Sequence, residues 1–266
     1  LRARYGRIAP KVLQAWRLLA RSIYECPAAS TQQGTHESIF CARPSLNTYQ
    51  ASSWSEMSDY YDPADVILAA NLMVQAAPDF AGCDNFEYDL VDILRQAIAE
   101  KGRLTYKAIQ QAYTSRDTAA LRSHGENFLT LLLLQDSLLS SRREFMAGNW
   151  IAQARALGED EAMKDWLEWN ARVQITTWGN RTASDTGGLH DYAHKEWSGL
   201  LADFYYLRWK TWLDRLLADP TGPDPALSID YYSLEEPWTL RKNTYPSKPT
   251  SSPIPTAIRI WSTIPE

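Results

Sequence analysis

Apolar residues recur every three or four positions along most of the chain, which is the spacing of one buried face of an α-helix. This spacing predicts eight helices, over residues 8–24, 62–77, 84–115, 117–139, 142–157, 160–177, 193–218 and 229–242. No convincing pair of segments alternates apolar and polar residues as paired strands do. The pattern therefore predicts an all-α fold, a bundle or array of about eight helices.

Local signals define several of the helix ends. Asp62 and Pro63 have the N-cap and first-turn preferences that open a helix, and Asp117 is a second N-cap candidate. Pro78 is expected to end the helix that Asp62 begins. Gly102 lies inside a long helical pattern, where glycine is expected to weaken or bend the helix.

Two long irregular loops interrupt the helices. The first spans about residues 25–62 and is rich in Ser, Thr, Asn and Gln, and the second follows Trp178-Gly179. Irregular segments of this length are uncommon inside a compact domain and are often functional. Beyond residue 249 the chain is rich in Pro and Ser. We therefore predict a helical domain over 1–249 and a tail or linker over 250–266.

Composition excludes two classes of partner. The chain has 266 residues, of which 45% are hydrophobic and 22% charged, and its net charge is −5. There is no basic stripe of the kind that binds nucleic acid, and the longest apolar run, residues 128–134, is too short to cross a bilayer. Because the first residue is not Met, we expect a fragment or a processed product, so the lack of a signal peptide indicates no compartment.

Aromatic residues are abundant, with 11 Trp and 14 Tyr. Exposed aromatic rings can stack on the C–H faces of sugars, but large aromatic side chains also fill the gaps between packed helices. For most of these residues packing is the expected role.

Metal binding and cofactor binding are not expected. His190 and His194 would share one face if a helix began by His190, but zinc needs three or four ligands. The alternative is that Asp191 caps the helix and the histidines lie at the surface. Three cysteines occur at no metal-binding spacing, and pairing of Cys26 with Cys41 stays open.

Acidic residues do not define a catalytic pair. Glycoside hydrolysis needs two carboxylates about 5 to 9.5 Å apart, and among the 32 acidic residues only Glu37 and Asp191 have suggestive loop settings. Neither can be paired with a partner from the sequence. The residues alone thus indicate an all-α domain with two polar loops and reach no reaction.

Several short motifs in a fixed order carry a resemblance to a known family. They are Arg43-Pro44-Ser45-Leu46, Ser53-Trp54, Tyr88-Asp89-Leu90-Val91-Asp92, Trp150-Ile151 with Gln153-Ala154-Arg155, Thr177-Trp178-Gly179, Asp191-Tyr192-Ala193, Tyr205-Tyr206 with Arg208-Trp209, and Tyr245-Pro246-Ser247. Each is weak alone, but their order and separations are specific. From residue 5 to about residue 249 the chain resembles the C-terminal all-α domain of the α-N-acetylglucosaminidase family, glycoside hydrolase family 89.

The resemblance implies a function for the longer polypeptide. Family members carry a small α/β domain, a catalytic (β/α)₈ barrel and this helical domain, and they cleave terminal α-linked N-acetylglucosamine with retention, in animals from heparan sulfate. The two catalytic glutamates lie on the barrel, so this chain is expected to lack them and to be inactive alone. The implied partners are that barrel and the glycan. The implied location is the periplasm or outside of a bacterium, or an animal lysosome.

The resemblance also implies substrate-binding residues. Trp178, Leu189 and Tyr192 match positions that face the pocket, and His36 and Trp54 are weaker matches. For each of them, packing between domains is the alternative role. Eleven residues separate Gly179 from Asp191, more than in the animal enzymes, so the match of Leu189 depends on where the gap is placed.

Two other functions are compatible with the sequence. One is a free-standing helical module that binds glycans without hydrolysing them. The other is a metal-dependent hydrolase built on His190 and His194, which is weakened because family members have Asn at the position of His194.

Overall fold

Ten α-helices frame the part of the chain that the structure, a computed structural model, describes: residues 1–25, 37–48, 51–52 and 60–264. The helices are α1 (Arg2–Tyr5), α2 (Pro10–Arg21), α3 (Pro63–Ala76), α4 (Asp84–Thr114), α5 (Thr118–Leu139), α6 (Ala147–Arg155), α7 (Glu161–Gln174), α8 (Tyr206–Ala218), α9 (Tyr231–Leu240) and α10 (Pro253–Thr263). These ranges contain no strand, and a lone bridge joins Met146 and Ser198. The all-α prediction is confirmed.

The long helices α4 and α5 form the centre of the packing. They lie against each other, α3 packs on α4, and α2 packs on α3. On the other side α8 packs on α5, while α6 pairs with α7, which contacts α9. Aromatic rings fill the centre: Phe128 lies 5.1 Å from Phe40 and 4.3 Å from Trp209 between ring centroids. The core thus ties α5 and α8 to the first irregular segment.

Side-chain caps open the helices where the sequence predicts them. The Asp62 carboxylate accepts a hydrogen bond from the Ala64 N–H at 2.9 Å, with Pro63 in the first turn of α3. Asp117 accepts from the Ala120 N–H at 2.9 Å at the start of α5. These bonds satisfy N–H groups that a helix leaves without a partner at its first turn.

Gly102 has a packing role that the helical pattern did not show. Helix α4 continues through it, and a Cβ at this position would lie 2.5 Å from the Phe40 ring. Phe40 is fully buried and is confined by Phe128, so the ring has no open space into which it could retreat. Glycine is therefore needed for the close approach of the Phe40 ring to α4.

The helix predicted over 193–218 begins later than the pattern indicates. Residues 193–199 are irregular, a π-helical turn spans Leu201–Tyr205, and α8 begins at Tyr206. The physical reason lies in Asp191, which is buried against α8 itself and cannot precede it as an exposed cap. The predicted segment 142–157 likewise opens with a 3₁₀ turn, Arg143–Phe145, before α6.

The tail expected over 250–266 is wrong for residues 253–263. These residues form α10, which packs on α3, α4 and α5 and buries Ile254, Ala257 and Ile260. Pro253 lies in the first turn, where a helix needs no N–H donor, so the proline-rich composition does not prevent the helix. The spacing of the apolar residues outweighs the composition here.

Some expectations fall outside the described residues or are limited to them. Cys26 lies outside, so its pairing with Cys41 is not addressed. Cys41 is buried and Cys83 is partly buried. In the described ranges, no helix combines the length and the apolar character that crossing a membrane requires.

Gly102→Ala is expected to destabilise the domain. The new methyl group would overlap the Phe40 ring, and such overpacking costs about 1–3 kcal/mol, against about 1 kcal/mol gained in helix propensity. Gly125→Ala in α5 is the matched control, because its methyl group would meet only the end of the Leu213 side chain at 3.3 Å. Urea unfolding should show a lower free energy of unfolding for Gly102→Ala than for Gly125→Ala. Equal values would contradict the packing argument.

Candidate functional site

The segment 175–192, called here loop 175–192, leaves the C-terminal end of α7 and carries three of the five predicted site residues. At Trp178 the backbone turns into the left-handed region, with φ of 58°. The Trp178 N–H donates to the Val173 carbonyl at 2.8 Å, which anchors the turn to the last residues of α7. A bulky residue rarely adopts this conformation, so the turn is specified by its surroundings.

Loop 175–192 closes on itself at its base. After a π-helical turn, Thr182–Thr186, the chain returns and the Asp191 N–H donates to the Thr176 carbonyl at 2.8 Å. Thr176, Thr177 and Asp191 are buried at this closure. The two ends of the loop therefore meet at a buried base, whose residues lie directly beside Trp178 and Tyr192 in the sequence.

Trp178 and Tyr192, called here the aromatic pair, face each other just outside that base. Their ring centroids lie 5.1 Å apart with an interplanar angle of 51°. Trp178 is 37% exposed and Tyr192 is 45% exposed, so both rings present surface to solvent. Leu189 is half-buried, and its carbonyl accepts from the Tyr192 N–H at 3.3 Å. The structure thus brings these three predicted residues together.

The other two predicted site residues, His36 and Trp54, lie outside the described residues. The neighbouring Glu37 is described and is buried, and its carboxylate accepts from the N–H groups of Ala51 and Ser52 at 3.1 and 2.7 Å. Its other oxygen accepts from the Ser52 hydroxyl at 2.7 Å. This carboxylate holds the first irregular segment together.

Asp191 pairs with Arg208 of α8 in the interior. The two guanidinium nitrogens of Arg208 donate to the two carboxylate oxygens at 2.8 and 2.9 Å, and both side chains are fully buried. Burial alone would raise the pKa of Asp191, but the positive charge of Arg208 and a hydrogen bond with His190 outweigh it, so the pKa lies below its usual value. The carboxylate is therefore ionised at neutral pH.

The ion pair continues toward α9 and back to the loop. The Nε of Arg208 lies 2.8 Å from Glu235, whose two oxygens also accept from Arg43 at 2.9 and 2.7 Å. Arg43 then donates to Asp185 at 2.7 Å and to the Ser184 hydroxyl at 3.1 Å. Asp191, Arg208, Glu235, Arg43 and Asp185 are called here the ion chain. It contacts loop 175–192 at both its base and its middle.

The two histidines are not on one helix face. His190 and His194 lie in an irregular segment, where Nδ1 of His190 is 3.0 Å from Asp191 and Nδ1 of His194 is 3.2 Å from Glu37. The premise of a helical His-x₃-His pair is therefore wrong. In the described part of the chain, no group of three or more His, Cys, Asp or Glu side chains is arranged to hold a metal ion.

A polar cavity of about 330 Å³ is lined in part by residues 194–197, which follow the loop. Glu37 and His194 line one part of it, and Arg95 and Glu196 line another. Arg95 donates to Glu196, which also accepts from Gln135. These charged groups therefore satisfy one another.

A family model described as the alpha-N-acetylglucosaminidase (NAGLU) C-terminal domain matches residues 1–263. The chain belongs to the α-N-acetylglucosaminidase family. Within this family it corresponds to the C-terminal domain, as the sequence motifs indicate.

Relatives of the α-N-acetylglucosaminidase family are longer than this chain. Alpha-N-acetylglucosaminidase of Homo sapiens is 35% identical over an alignment of 263 residues, and the match covers 97% of this chain and 34% of that protein. Among solved structures, a family 89 glycoside hydrolase from Clostridium perfringens in complex with PUGNAc has a TM-score of 0.92 and 33% identity. That match covers 99% of this chain and 30% of the other. The chain thus spans about a third of the length of these relatives.

A second structure from Clostridium perfringens contains a sugar substrate. It is a variant with two glutamates replaced by glutamine, in complex with its substrate GlcNAc-alpha-1,4-galactose. It is 34% identical to this α-N-acetylglucosaminidase domain with a TM-score of 0.91, and the match covers 97% of this chain and 30% of that one.

The ion chain is the part of this family domain that the sequence did not reveal. Its members are far apart in the chain, and Asp191 looked like a helix cap. One signal was present: Arg208 lies on the apolar face of α8, four residues from Phe204 and from Trp212, which are both buried. A charge on such a face needs a buried partner.

Asp191→Asn should remove a pH-dependent part of the stability. Because the folded pKa of Asp191 lies below its unfolded value of about 3.9, the ion pair stabilises the fold above that value and loses this effect as pH falls through the folded pKa. Urea unfolding should show the largest gap between wild type and Asp191→Asn at pH 7 and a smaller gap at pH 3. A gap that is constant with pH would contradict the pairing.

Proposed function

We propose that this chain completes the sugar pocket of an exo-α-N-acetylglucosaminidase, with loop 175–192 as one wall. One observation carries the proposal: Trp178 and Tyr192 lie together and exposed beside a buried, hydrogen-bonded loop base. The loop belongs to a domain that shares its fold with a hydrolase solved with GlcNAc-alpha-1,4-galactose. The substrate is a terminal α-linked N-acetylglucosamine.

The chemistry of the wall is non-covalent. An indole face packs on the C–H groups of a pyranose, and a phenol ring adds both an apolar face and a hydroxyl that can bond a sugar oxygen. Leu189 adds apolar surface next to Tyr192. Such contacts position the sugar so that reacting groups elsewhere meet the glycosidic bond in a productive geometry.

The reacting carboxylates are placed on another part of the polypeptide. Retaining hydrolysis needs an acid and a nucleophile about 5–5.5 Å apart. In loop 175–192, Asp185 is ion-paired with Arg43 and Asp191 with Arg208, so both carboxylates already have structural partners. As the family resemblance implies, we propose that both catalytic glutamates lie on a (β/α)₈ barrel of the same polypeptide, and we expect the isolated chain to be inactive.

Helix α7 offers a surface for contact with that barrel. Met163, Trp166 and Trp169 are 42%, 58% and 41% exposed, three residues apart along the helix that leads into Trp178. Contiguous exposed apolar side chains of this size mark surfaces that another protein part covers. About two thirds of the length of the relatives lies outside this match, and we assign the α7 surface to contact with the corresponding part of the polypeptide.

Two further assignments follow from the resemblance. His36 and Trp54 are proposed as additional pocket residues from the first irregular segment. The full polypeptide is proposed to act in the periplasm or outside the cell if bacterial, and in the lysosome if animal.

Trp178→Ala in the full-length protein should lower kcat/KM on an aryl α-N-acetylglucosaminide by at least 10-fold, about 1.4 kcal/mol of transition-state stabilisation. The loss follows because alanine removes the face on which the sugar packs. Trp178→Phe is the matched control, since it keeps an aromatic face and should retain most of the activity.

Either of two results would contradict the proposal. Wild-type kinetics for a folded Trp178→Ala protein would remove Trp178 from the pocket. A full-length protein that binds the glycan but does not hydrolyse it would support a glycan-binding module instead.

The isolated chain should bind a hydrophobic dye through α7. The double variant Trp166→Gln, Trp169→Gln removes the two largest exposed apolar side chains of that surface, so dye fluorescence should fall. Leu227→Gln with Ile8→Gln is the control, because these exposed residues lie apart in the sequence and outside α7. An equal fall in both double variants would contradict a specific α7 surface.

A further inference from the structure

The ion chain has a feature that stability alone does not require: it touches loop 175–192 twice. Asp191 lies at the base of the loop, and Asp185 lies in the middle of it. Between these two contacts the ion chain passes through Arg208 of α8, Glu235 of α9 and Arg43 in the segment that follows Phe40. Three separate parts of the sequence thus converge on one loop.

The contact at the base lies next to the aromatic pair on both sides. Asp191 directly precedes Tyr192, and its N–H bonds the carbonyl of Thr176, two residues before Trp178. Both Trp178 and Asp191 have positive φ, at 58° and 56°. Conformations of this kind cost about 1–3 kcal/mol each and persist only where the surroundings impose them. The Asp191–Arg208 pair is such a constraint, because it fixes the carboxylate at both oxygens.

The contact in the middle of the loop is made by Arg43, which bonds the loop on one side and Glu235 of α9 on the other. Arg43 donates to Asp185 and Ser184 in the loop while it donates twice to Glu235. A guanidinium can hold these partners at once because its five N–H groups lie in a fixed plane, whereas a lysine ammonium cannot span them. Arg43 is largely buried, with 15% of its side chain exposed, and Glu235 is fully buried, so solvent screens the Arg43–Glu235 contact little.

We infer that the ion chain is a positioning device for the aromatic pair: Arg43, Glu235 and Arg208 set the place of Trp178 and Tyr192 before substrate arrives, although none of the three contacts the sugar. This inference rests on the proposed function of the aromatic pair. Arg43 thereby affects kcat/KM indirectly, by holding Trp178 in place.

Kinetic measurements distinguish this positioning role from a purely structural role. A structural role lowers the amount or the stability of folded protein and leaves kcat/KM per folded molecule unchanged. A positioning role lowers kcat/KM per folded molecule, because small displacements of positioning groups reduce the rate. It also makes the effect depend on whether Trp178 is present.

The test uses the full-length protein with Arg43→Lys, alone and combined with Trp178→Ala. Arg43→Lys keeps the charge beside Glu235 but loses the planar contacts, and it should lower kcat/KM by about 3- to 10-fold. On the Trp178→Ala background the same substitution should lower kcat/KM by less than about 2-fold. Asp185→Asn cuts the chain at its exposed end and should act in the same direction as Arg43→Lys, which provides a variant if Arg43→Lys does not fold.

Asp89→Asn is the control for lost stability. Asp89 of α4 is buried and accepts from the partly exposed Arg4 and the buried Tyr5 of α1. The substitution should lower the melting temperature while leaving kcat/KM within about 2-fold. If Arg43→Lys and Asp185→Asn both leave kcat/KM unchanged while Trp178→Ala lowers it, the positioning role is overturned and the proposed function stands. If Arg43→Lys lowers kcat/KM by the same factor of about 3 to 10 on the Trp178→Ala background, the positioning role is also overturned. If Trp178→Ala itself has no effect, the proposed function fails.

Discussion

The ion pair between Asp191 and Arg208 constrains the whole second half of the fold. An enclosed guanidinium without a counter-ion would destabilise the protein by about 3–5 kcal/mol, so burial of Arg208 on the apolar face of α8 requires carboxylates to come to it. Asp191 arrives from a loop and Glu235 from α9. The position of the loop base and the approach of Glu235 to α8 are therefore tied to one charge in the core.

The same constraint explains why aromatic side chains stand exposed beside buried polar ones. At the loop base Thr177 and Asp191 are buried, while the residues that follow each of them, Trp178 and Tyr192, are exposed. The left-handed backbone at Trp178 and Asp191 accompanies this alternation. Strain at these two positions is offset by the hydrogen bonds and the ion pair of the base, so rigidity and exposure have one physical origin.

Most of the fold could be predicted from the sequence, because helical spacing and N-caps are local signals. Asp62 and Asp117 cap helices as expected. The start of α8 and the existence of α10 could not be predicted, because both depend on tertiary contacts: Asp191 enters the core, and Ile260 finds an apolar groove among α3, α4 and α5. For the site, the motifs located Trp178 and its loop, but the ion chain joins residues up to 192 positions apart. The sequence indicates that Arg208 on an apolar face needs a buried partner, but it does not indicate which carboxylates supply it.

The exposed aromatic surfaces become understandable when the domain is considered as a third of a longer polypeptide. A domain that had to be soluble alone would bury or replace Trp166, Trp169 and Trp178, since exposed apolar patches favour association. Within the proposed enzyme these residues divide between two tasks: α7 covers apolar surface of the barrel, and the aromatic pair receives the sugar. A pocket wall on a separate domain must be held rigidly to be useful. Binding energy that is used to order a loose loop is no longer available to position the substrate. The ion chain meets that requirement from inside the helical domain.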